Sequence, residues 1–384
     1  MDFKLTEEQE MIRQMARDFG QNEIAPYAQQ WDKDDYCPLD VIQKMQDLGL
    51  MTIGVPAEYG GDGLDNVSKC LVEEEITKAD AGMGTVVCAS SLLASDPVLV
   101  GANDEQKKWW YGRMLEGAVC GFCLTEPGAG SDALSMATKC VKDGDSYILN
   151  GTKQFITNAE IAKQFTVFAT LDKKMGNKGI CAFVVDRDTP GITIGPKEDK
   201  LGIRSSCTNQ VIFEDARVPA KNLMGGEGQG IPILMETLDL SRTAVAAMAT
   251  GVSQASVDAA LEYAQERNQF GKPISSFQAI QFMLADMAIL TETSRLLYLK
   301  AASLQDEGLA YKTVSSMAKA WAADNCVKIA CDAIQIFGGY GFTKEYPVEK
   351  YYRDAKIMQL YEGTSQVQKM VIAKSINKNG YKGF

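Results

Sequence analysis

The chain has 384 residues with 39 Lys and Arg against 50 Asp and Glu, a formal charge of −11, and 46% hydrophobic residues, which calls for two or three packed domains of an ordinary globular protein. The negative balance argues against a nucleic-acid backbone as partner, which needs clustered cations to release counterions, and against a polybasic membrane anchor. Histidine is absent, and with it go Ser-His-Asp hydrolysis, Cys-His proteolysis and His-ligated zinc, so no metal site is expected.

In chain order, the first residues carry acids and helical spacing, unlike the basic end and apolar stretch of a signal peptide. The mature chain is therefore expected to begin at Met1 and to stay in a reducing bacterial cytoplasm. Leu5, Met11, Ile12 and Met15 recur at helical spacing behind a capping-box pair, Thr6 and Gln9. Helices are expected near 41–48, 68–78, 83–100 and 104–115, and no apolar run approaches the ~18–20 residues of a membrane span. From about Val119 the texture turns to short β-rich runs: 146–149, 154–157, 165–168, 180–185, 192–194 and 210–213, spaced as in an antiparallel barrel or sandwich. Long helical patterns return at 231–267, 276–305, 311–336 and 364–378, as in an antiparallel bundle. The expected fold is multidomain α+β: an N-terminal all-α domain (1–118), a β-barrel domain (119–228) and a C-terminal four-helix bundle (229–384).

The ten cysteines read as small buried hydrophobes. Cys120-Gly-Phe-Cys123 is formally a redox pair or half a zinc site, but it lies in a strand pattern and no second CxxC completes it. Gly128-Ala-Gly130-Ser-Asp-Ala133 matches a dinucleotide fingerprint, yet hairpins rather than a βαβ unit follow, so a turn is the better reading. That turn admits close backbone approach, and Thr125 and Ser131 offer hydroxyls to a planar ring. Arg267-Asn-Gln-Phe-Gly-Lys-Pro273 is either a helix end or a phosphate clamp. Gln335-Ile-Phe-Gly-Gly339 is either a glycine-ended helix or a ligand approach. In Tyr361-Glu-Gly-Thr-Ser-Gln366, Thr364 or Ser365 reads as an N-cap and Glu362 as a solvated acid; alternatively Gly363 lets Glu362 reach a dry pocket as a general base. Without histidine, a carboxylate base is the natural candidate.

These segments, with Leu124-Thr-Glu-Pro-Gly-Ala-Gly-Ser-Asp132, Phe155-Ile-Thr-Asn158 and Asp239-Leu-Ser-Arg242, occur in an order that resembles the acyl-CoA dehydrogenases over essentially the whole chain. The resemblance implies FAD as cofactor and Glu362 as catalytic base, its backbone N–H polarising the thioester carbonyl. It implies that Leu124, Thr125, Ser131, Phe155 and Thr157 contact the flavin, and that Arg267, Gln269, Phe270, Gln278, Gln335 and Gly339 reach the FAD of a neighbouring subunit. Thr364 and Gln366 complete the cofactor site, while Ser131, Asp239, Arg242, Tyr361 and Gly363 serve the substrate, Asp239 and Arg242 on its CoA portion. Two departures stand out: Phe155 where many members have Trp, which keeps an aromatic wall, and Ser241 where some relatives place the base, which leaves that role to Glu362.

The implied reaction is α,β-desaturation of an acyl-CoA: α-proton to Glu362, β-hydride to flavin N5, or the reverse as an enoyl-CoA reductase. From Met83 to Gly101, which resembles the family's acyl-pocket wall, the sole charge is Asp96. No cation there pairs a distal carboxylate, so an uncharged tail is favoured over a glutaryl one, short by likeness to butyryl-CoA dehydrogenases. The implied partners are an electron-transfer flavoprotein and three further copies in a homotetramer, a dimer of dimers. An acyl-CoA oxidase, or a silent flavoprotein or CoA-binding scaffold, remains as the alternative.

Overall fold

In the computed structural model, which describes residues 4–381, the chain begins with the expected capping box. Thr6 Oγ1 accepts from Gln9 N, and Gln9 Oε1 from Thr6 N, each at 3.1 Å, and α1 runs Glu7–Phe19. Met1, the expected start, lies outside the described residues. The N-terminal helices continue with α2 (Ala28–Asp34), α3 (Leu39–Asp47), α4 (Asn66–Ala79), α5 (Ala81–Val87), α6 (Asp96–Gly101) and α7 (Asp104–Leu115). Between α5 and α6 a π-helical turn, Cys88–Leu93, interrupts the helix expected at 83–100. The stretch Ala81–Gly101, 21 residues of mean hydropathy 1.5, is long and apolar enough to cross a membrane, against the expectation of no such run; 78% of its apolar window is buried inside the fold, as in a core helix.

The middle of the chain forms β1 (Cys120–Cys123), β2 (Lys139–Asp143), β3 (Ser146–Thr157), β4 (Gln164–Thr170), β5 (Ile180–Asp186), β6 (Ile192–Lys197), β7 (Thr208–Pro219) and β8 (Leu223–Met224). Their order is β6-β7-β3-β2-β4-β5-β8, with β1 beside β4. This path has two ends, so the expected barrel is not found as a closed sheet, nor is the sheet wholly antiparallel, since β1 and β2 pair parallel to β4. At one end of the path β8, of two residues, pairs with β5, and at the other β6 pairs with β7. The two strands expected at 146–149 and 154–157 are one, β3, with register shifts against β7 at Leu149/Gly151 and Lys153/Ile156. Such bulges bend a strand and re-aim its side chains. Cys120 and Cys123 sit three apart on β1 and enter different cores, Cys120 beside Trp110 and Phe168, Cys123 beside Leu149 and Phe165. Both thiols are free, and among the described residues no group of three or more Cys, Asp or Glu is placed to hold a metal ion.

Among the described residues the C-terminal part has five helices, one more than the four expected: α8 (Gly230–Glu266), α9 (Gln278–Asp306), α10 (Lys312–Phe337), α11 (Val348–Met358) and α12 (Ser365–Asn379), with a small hairpin, β9 (Asn268–Gln269) and β10 (Lys272–Pro273), after α8. Small residues let α4 lie close on α8: a Cβ on Gly251 would stand 2.4 Å from the Glu74 carbonyl oxygen. The unforeseen α11 buries Lys350 and Asp354. Lys350 Nζ reaches Asp80 Oδ1 at 2.5 Å and Asp354 Oδ2 at 2.6 Å. Asp80 also accepts from Ser205 Oγ, and Asp354 Oδ1 from Ile203 N at 2.5 Å. This one buried cluster ties the N-terminal helices, the loop before β7 and the C-terminal bundle together.

Candidate functional site

Between α11 and α12 the chain reverses through two residues in the left-handed region, Glu362 at φ 54° and Gly363 at φ 84°. Glycine adopts this freely, whereas glutamate does so only when its surroundings hold it. Gln368 Nε2 donates to the Glu362 carbonyl at 2.9 Å and to the Gly363 carbonyl at 3.2 Å, and Lys319 Nζ donates to the latter at 2.7 Å. Thr364 is the N-cap of α12, as expected of it or Ser365, its hydroxyl accepting from Val367 N at 3.2 Å.

The Glu362 side chain turns inward. Its Oε2 accepts from Ser241 Oγ, on α8, at 2.8 Å. Burial raises the carboxyl above the ordinary glutamate range, opposed by the Ser241 hydrogen bond and by the charges of Arg242 and Lys319. Arg242 is 2% exposed and pairs with Asp239 Oδ1 at 2.5 Å; Asp239 also faces Lys312 at 3.2 Å. The structure thus buries both residues expected on the CoA portion and sets Arg242 beside the base. Its Nε is buried with no hydrogen-bond partner among the described residues. Tyr361 lies against Met358 and Met248, its hydroxyl 3.0 Å from Met358 Sδ, and burial pushes its phenol up. Asp96, the one acid of the 83–101 wall, is pushed up to about 8, first by burial and in part by Glu362, so that wall carries little negative charge at neutral pH.

The second element is the loop after β1. Lys153, fully buried on β3, donates to the Leu124 carbonyl at 3.0 Å and to Glu126 Oε1 at 2.8 Å. Glu126 accepts in turn from the backbone of Ala137 at 2.5 Å and of Thr138 at 3.0 Å. This ion pair closes the loop from Leu124 to Thr138 on itself and leaves its tip open. Nothing lies within 4 Å of where a Cβ would stand on Gly128 or Gly130, and Ser131 is exposed. Beside it, the bulge of β3 holds Phe155 at φ 59° and 61% exposed, with Thr157 partly exposed two residues on. A free rim with hydroxyls and an exposed aromatic fits a planar cofactor ring.

The third element lies beyond α8. A cleft of ≈ 510 Å³ is lined by Arg267, Gln269, Phe337, Gly339 and Tyr340, with the Arg267 guanidinium 5.6 Å from the Tyr340 ring centre. The structure thus brings Arg267, Gln269 and Gly339 together. Phe270 is 93% exposed at the hairpin tip, and Gln278, Gln335 and Gln366 are exposed on helices α9, α10 and α12. None of the residues of this third element is among the hydrogen-bond partners of Glu362.

Sequence reasoning missed Ser241 as a partner of the base, Lys319 and Gln368 as its backbone clamp, and the Lys153–Glu126 pair. It also missed Glu73 on α4, fully buried, whose two carboxyl oxygens have no hydrogen-bond partner among the described residues. Burial alone raises Glu73 well above the carboxylate range, and its charge acts on Cys88 and Tyr361. Ser241 was the one with a signal, since it occupies the position where some relatives place the base.

Three domain models of acyl-CoA dehydrogenase match in order: N-terminal over residues 6–118, middle over 121–216 and C-terminal over 228–377. The mouse mitochondrial short-chain specific acyl-CoA dehydrogenase is 45% identical over 371 residues, 96% of this chain and 90% of the relative. Butyryl-CoA dehydrogenase from Megasphaera elsdenii superposes with a TM-score of 0.96 at 41% identity, covering 98% of this chain and all of that one. A chain solved in work on the electron transferring flavoprotein of Acidaminococcus fermentans and flavin-based electron bifurcation gives a TM-score of 0.97 at 46% identity, covering 99% and 100%.

Proposed function

The chain belongs to the acyl-CoA dehydrogenase family of FAD-dependent oxidoreductases, and from that premise we propose that it desaturates a short-chain acyl-CoA, of butyryl-CoA type, with Glu362 as the base. The observation that carries this reading is the Glu362 carboxyl itself: turned inward, hydrogen-bonded to Ser241 and raised by burial toward a useful basicity.

In this reading the substrate's α-carbon lies against Glu362, which takes its proton. The backbone N–H of Glu362 donates to the thioester oxygen and stabilises the charge that develops there. Tyr361 and Gly363 flank the reacting carbons, and Asp239 with Arg242 supports the thioester end of the CoA. Exclusion of water by the acyl chain strengthens each of these contacts, and the fixed turn supplies orientation. Leu124, Thr125, Ser131, Phe155 and Thr157 would hold the flavin ring at the open loop tip. Arg267, Gln269, Phe270, Gln278, Gln335 and Gly339 would reach the FAD of a neighbouring subunit, with Thr364 and Gln366 completing the cofactor site. When bound, FAD accepts the hydride from the β-carbon. A short, uncharged tail is favoured because the 83–101 wall offers no cation and its one acid is largely neutral.

A homotetramer is supported by Phe282, Ile289 and Leu296, exposed at seven-residue intervals on α9, and by the exposed Phe270. An electron-transfer flavoprotein as acceptor and the bacterial cytoplasm as compartment rest on the family. We take the domain limits as 1–118, 119–228 and 229–384. The test is to purify the protein with its FAD and mix it anaerobically with butyryl-, octanoyl- and glutaryl-CoA. Flavin bleaching fastest with butyryl-CoA supports the proposal. Bleaching fastest with glutaryl-CoA contradicts the substrate, and no bleaching with any thioester contradicts the reaction.

A further inference from the structure

The turn that carries the base is held by two side chains of different standing. Gln368 belongs to α12, the helix that continues directly from the turn, so it moves with the turn. Lys319 comes from α10, a helix of 26 residues packed along α8, and α8 supplies Ser241. Lys319 therefore links the backbone of the base to the same rigid pair of helices that orients its carboxylate. The lysine is fully buried, yet its hydrogen bond goes to a neutral carbonyl, Gly363 O at 2.7 Å. Among the described residues no carboxylate lies within 4.0 Å of its Nζ. A buried ammonium ordinarily has an anionic partner, and the anions that act on this one are Glu362 and Asp324. Asp324 is engaged elsewhere, accepting from Gln359 Nε2 at 2.9 Å and Lys369 Nζ at 3.0 Å.

We propose that Lys319 is a positioning residue for the base: it pins the Gly363 carbonyl so that Glu362 stays left-handed against Ser241, and it keeps a positive charge beside the carboxylate. The inference rests on Glu362 being the base. The charged and titratable groups around that carboxylate are Arg242 from α8, Lys319 from α10, and Tyr361 beside it, with Cys88 and Asp96 facing it from the acyl wall. Arg242 is already paired with Asp239, which leaves Lys319 as the cation without a carboxylate of its own. Burial lowers Lys319 to about 8, so it is mostly charged at neutral pH.

The test compares Lys319→Met, Lys319→Gln and Lys319→Arg in the FAD-loaded enzyme, reading FAD content, melting temperature, kcat and KM for butyryl-CoA, and the pH profile of kcat/KM. Lys319→Met is expected to keep its FAD and to lose roughly tenfold or more in kcat with little change in KM, because a misplaced base costs orientation rather than binding. Loss of the cation lets the Glu362 pKa rise, so the acid limb of the profile moves to higher pH by about one unit, tenfold in ionised fraction. Lys319→Gln restores a donor without charge and keeps the shifted limb; Lys319→Arg returns it. A melting temperature that falls while the limb and kcat stay at wild type means a packing role only and overturns the proposal. If Lys319→Met does not fold, identical profiles for the Gln and Arg variants overturn it equally. Full activity in Glu362→Gln removes the base and this inference together, whereas dependence on Glu362 with a limb that ignores Lys319 removes this inference alone.

Discussion

Replacing Lys350 by methionine tests how the three parts of the chain are joined around the acyl wall. Its ammonium is 3% exposed and neutralises Asp80 and Asp354, which are 0% and 1% exposed. Methionine fills much of the space but leaves two acids facing one another away from water. Breaking a buried pair in this way costs about 3–5 kcal/mol, or a melting temperature lower by roughly 4–6 °C in a chain of this size. The cost depends on pH with a definite sign. Burial and Asp80 already raise Asp354 above the aspartate range, and loss of the cation that opposes them raises Asp354 further. A carboxyl whose folded pKa exceeds its unfolded value keeps its contribution below the unfolded pKa, about 4, and loses it as pH rises through the folded value. The deficit of Lys350→Met is therefore expected to be larger at pH 8 than at pH 5 in urea unfolding followed by circular dichroism. Adding Asp80→Asn and Asp354→Asn to Lys350→Met is expected to recover part of the loss. A single variant within about 1 kcal/mol of wild type, or a deficit that shrinks with rising pH, would refute the reasoning.

Ser241→Ala removes the hydroxyl that stabilises the ionised base, and a hydrogen bond to a charged group is worth about 1.5–3 kcal/mol. The acid limb of kcat/KM is expected to move up by roughly one to two units with FAD content unchanged, and an unmoved limb contradicts that role. Glu73→Gln removes a buried carboxyl that has no partner. Because burial raises its folded pKa, wild type loses stability there as pH rises from about 4, so the variant's gain in melting temperature is expected to be greater at pH 8 than at pH 4.5; a gain that is equal at both, or a loss at pH 8, counts against it.

Elements whose buried faces are apolar were legible in the sequence. The capping box of Thr6 and Gln9 located α1, and the long apolar periods of α8, α9, α10 and α12 gave their limits to within a few residues. Helix α11 escaped because its hidden face includes Lys350 and Asp354, which break the hydrophobic period. Strand β2 escaped because Cys140 is its one buried residue. Closure of the sheet depends on pairings between remote strands, which the spacing of local β-rich runs does not fix. At the site, the lack of histidine and the order of six short segments led to Glu362. Its contacts were not legible: Ser241, marked only as a position where some relatives place the base, and Lys319 lie 121 and 43 positions away and meet the turn only because α8 and α10 pack beneath it. The desolvation of the Glu362 carboxyl, which raises it against the pull of Ser241, Arg242 and Lys319, is likewise a property of the folded chain.

The most direct measurement is rapid-mixing reduction of the bound flavin by butyryl-CoA, anaerobically, in wild type and in Glu362→Gln. The account predicts that the variant retains FAD and binds the thioester while its flavin reduction slows on the order of 10³-fold, the scale of a lost general base. Reduction of the variant's flavin at a rate within about threefold of wild type, far inside that scale, would contradict it.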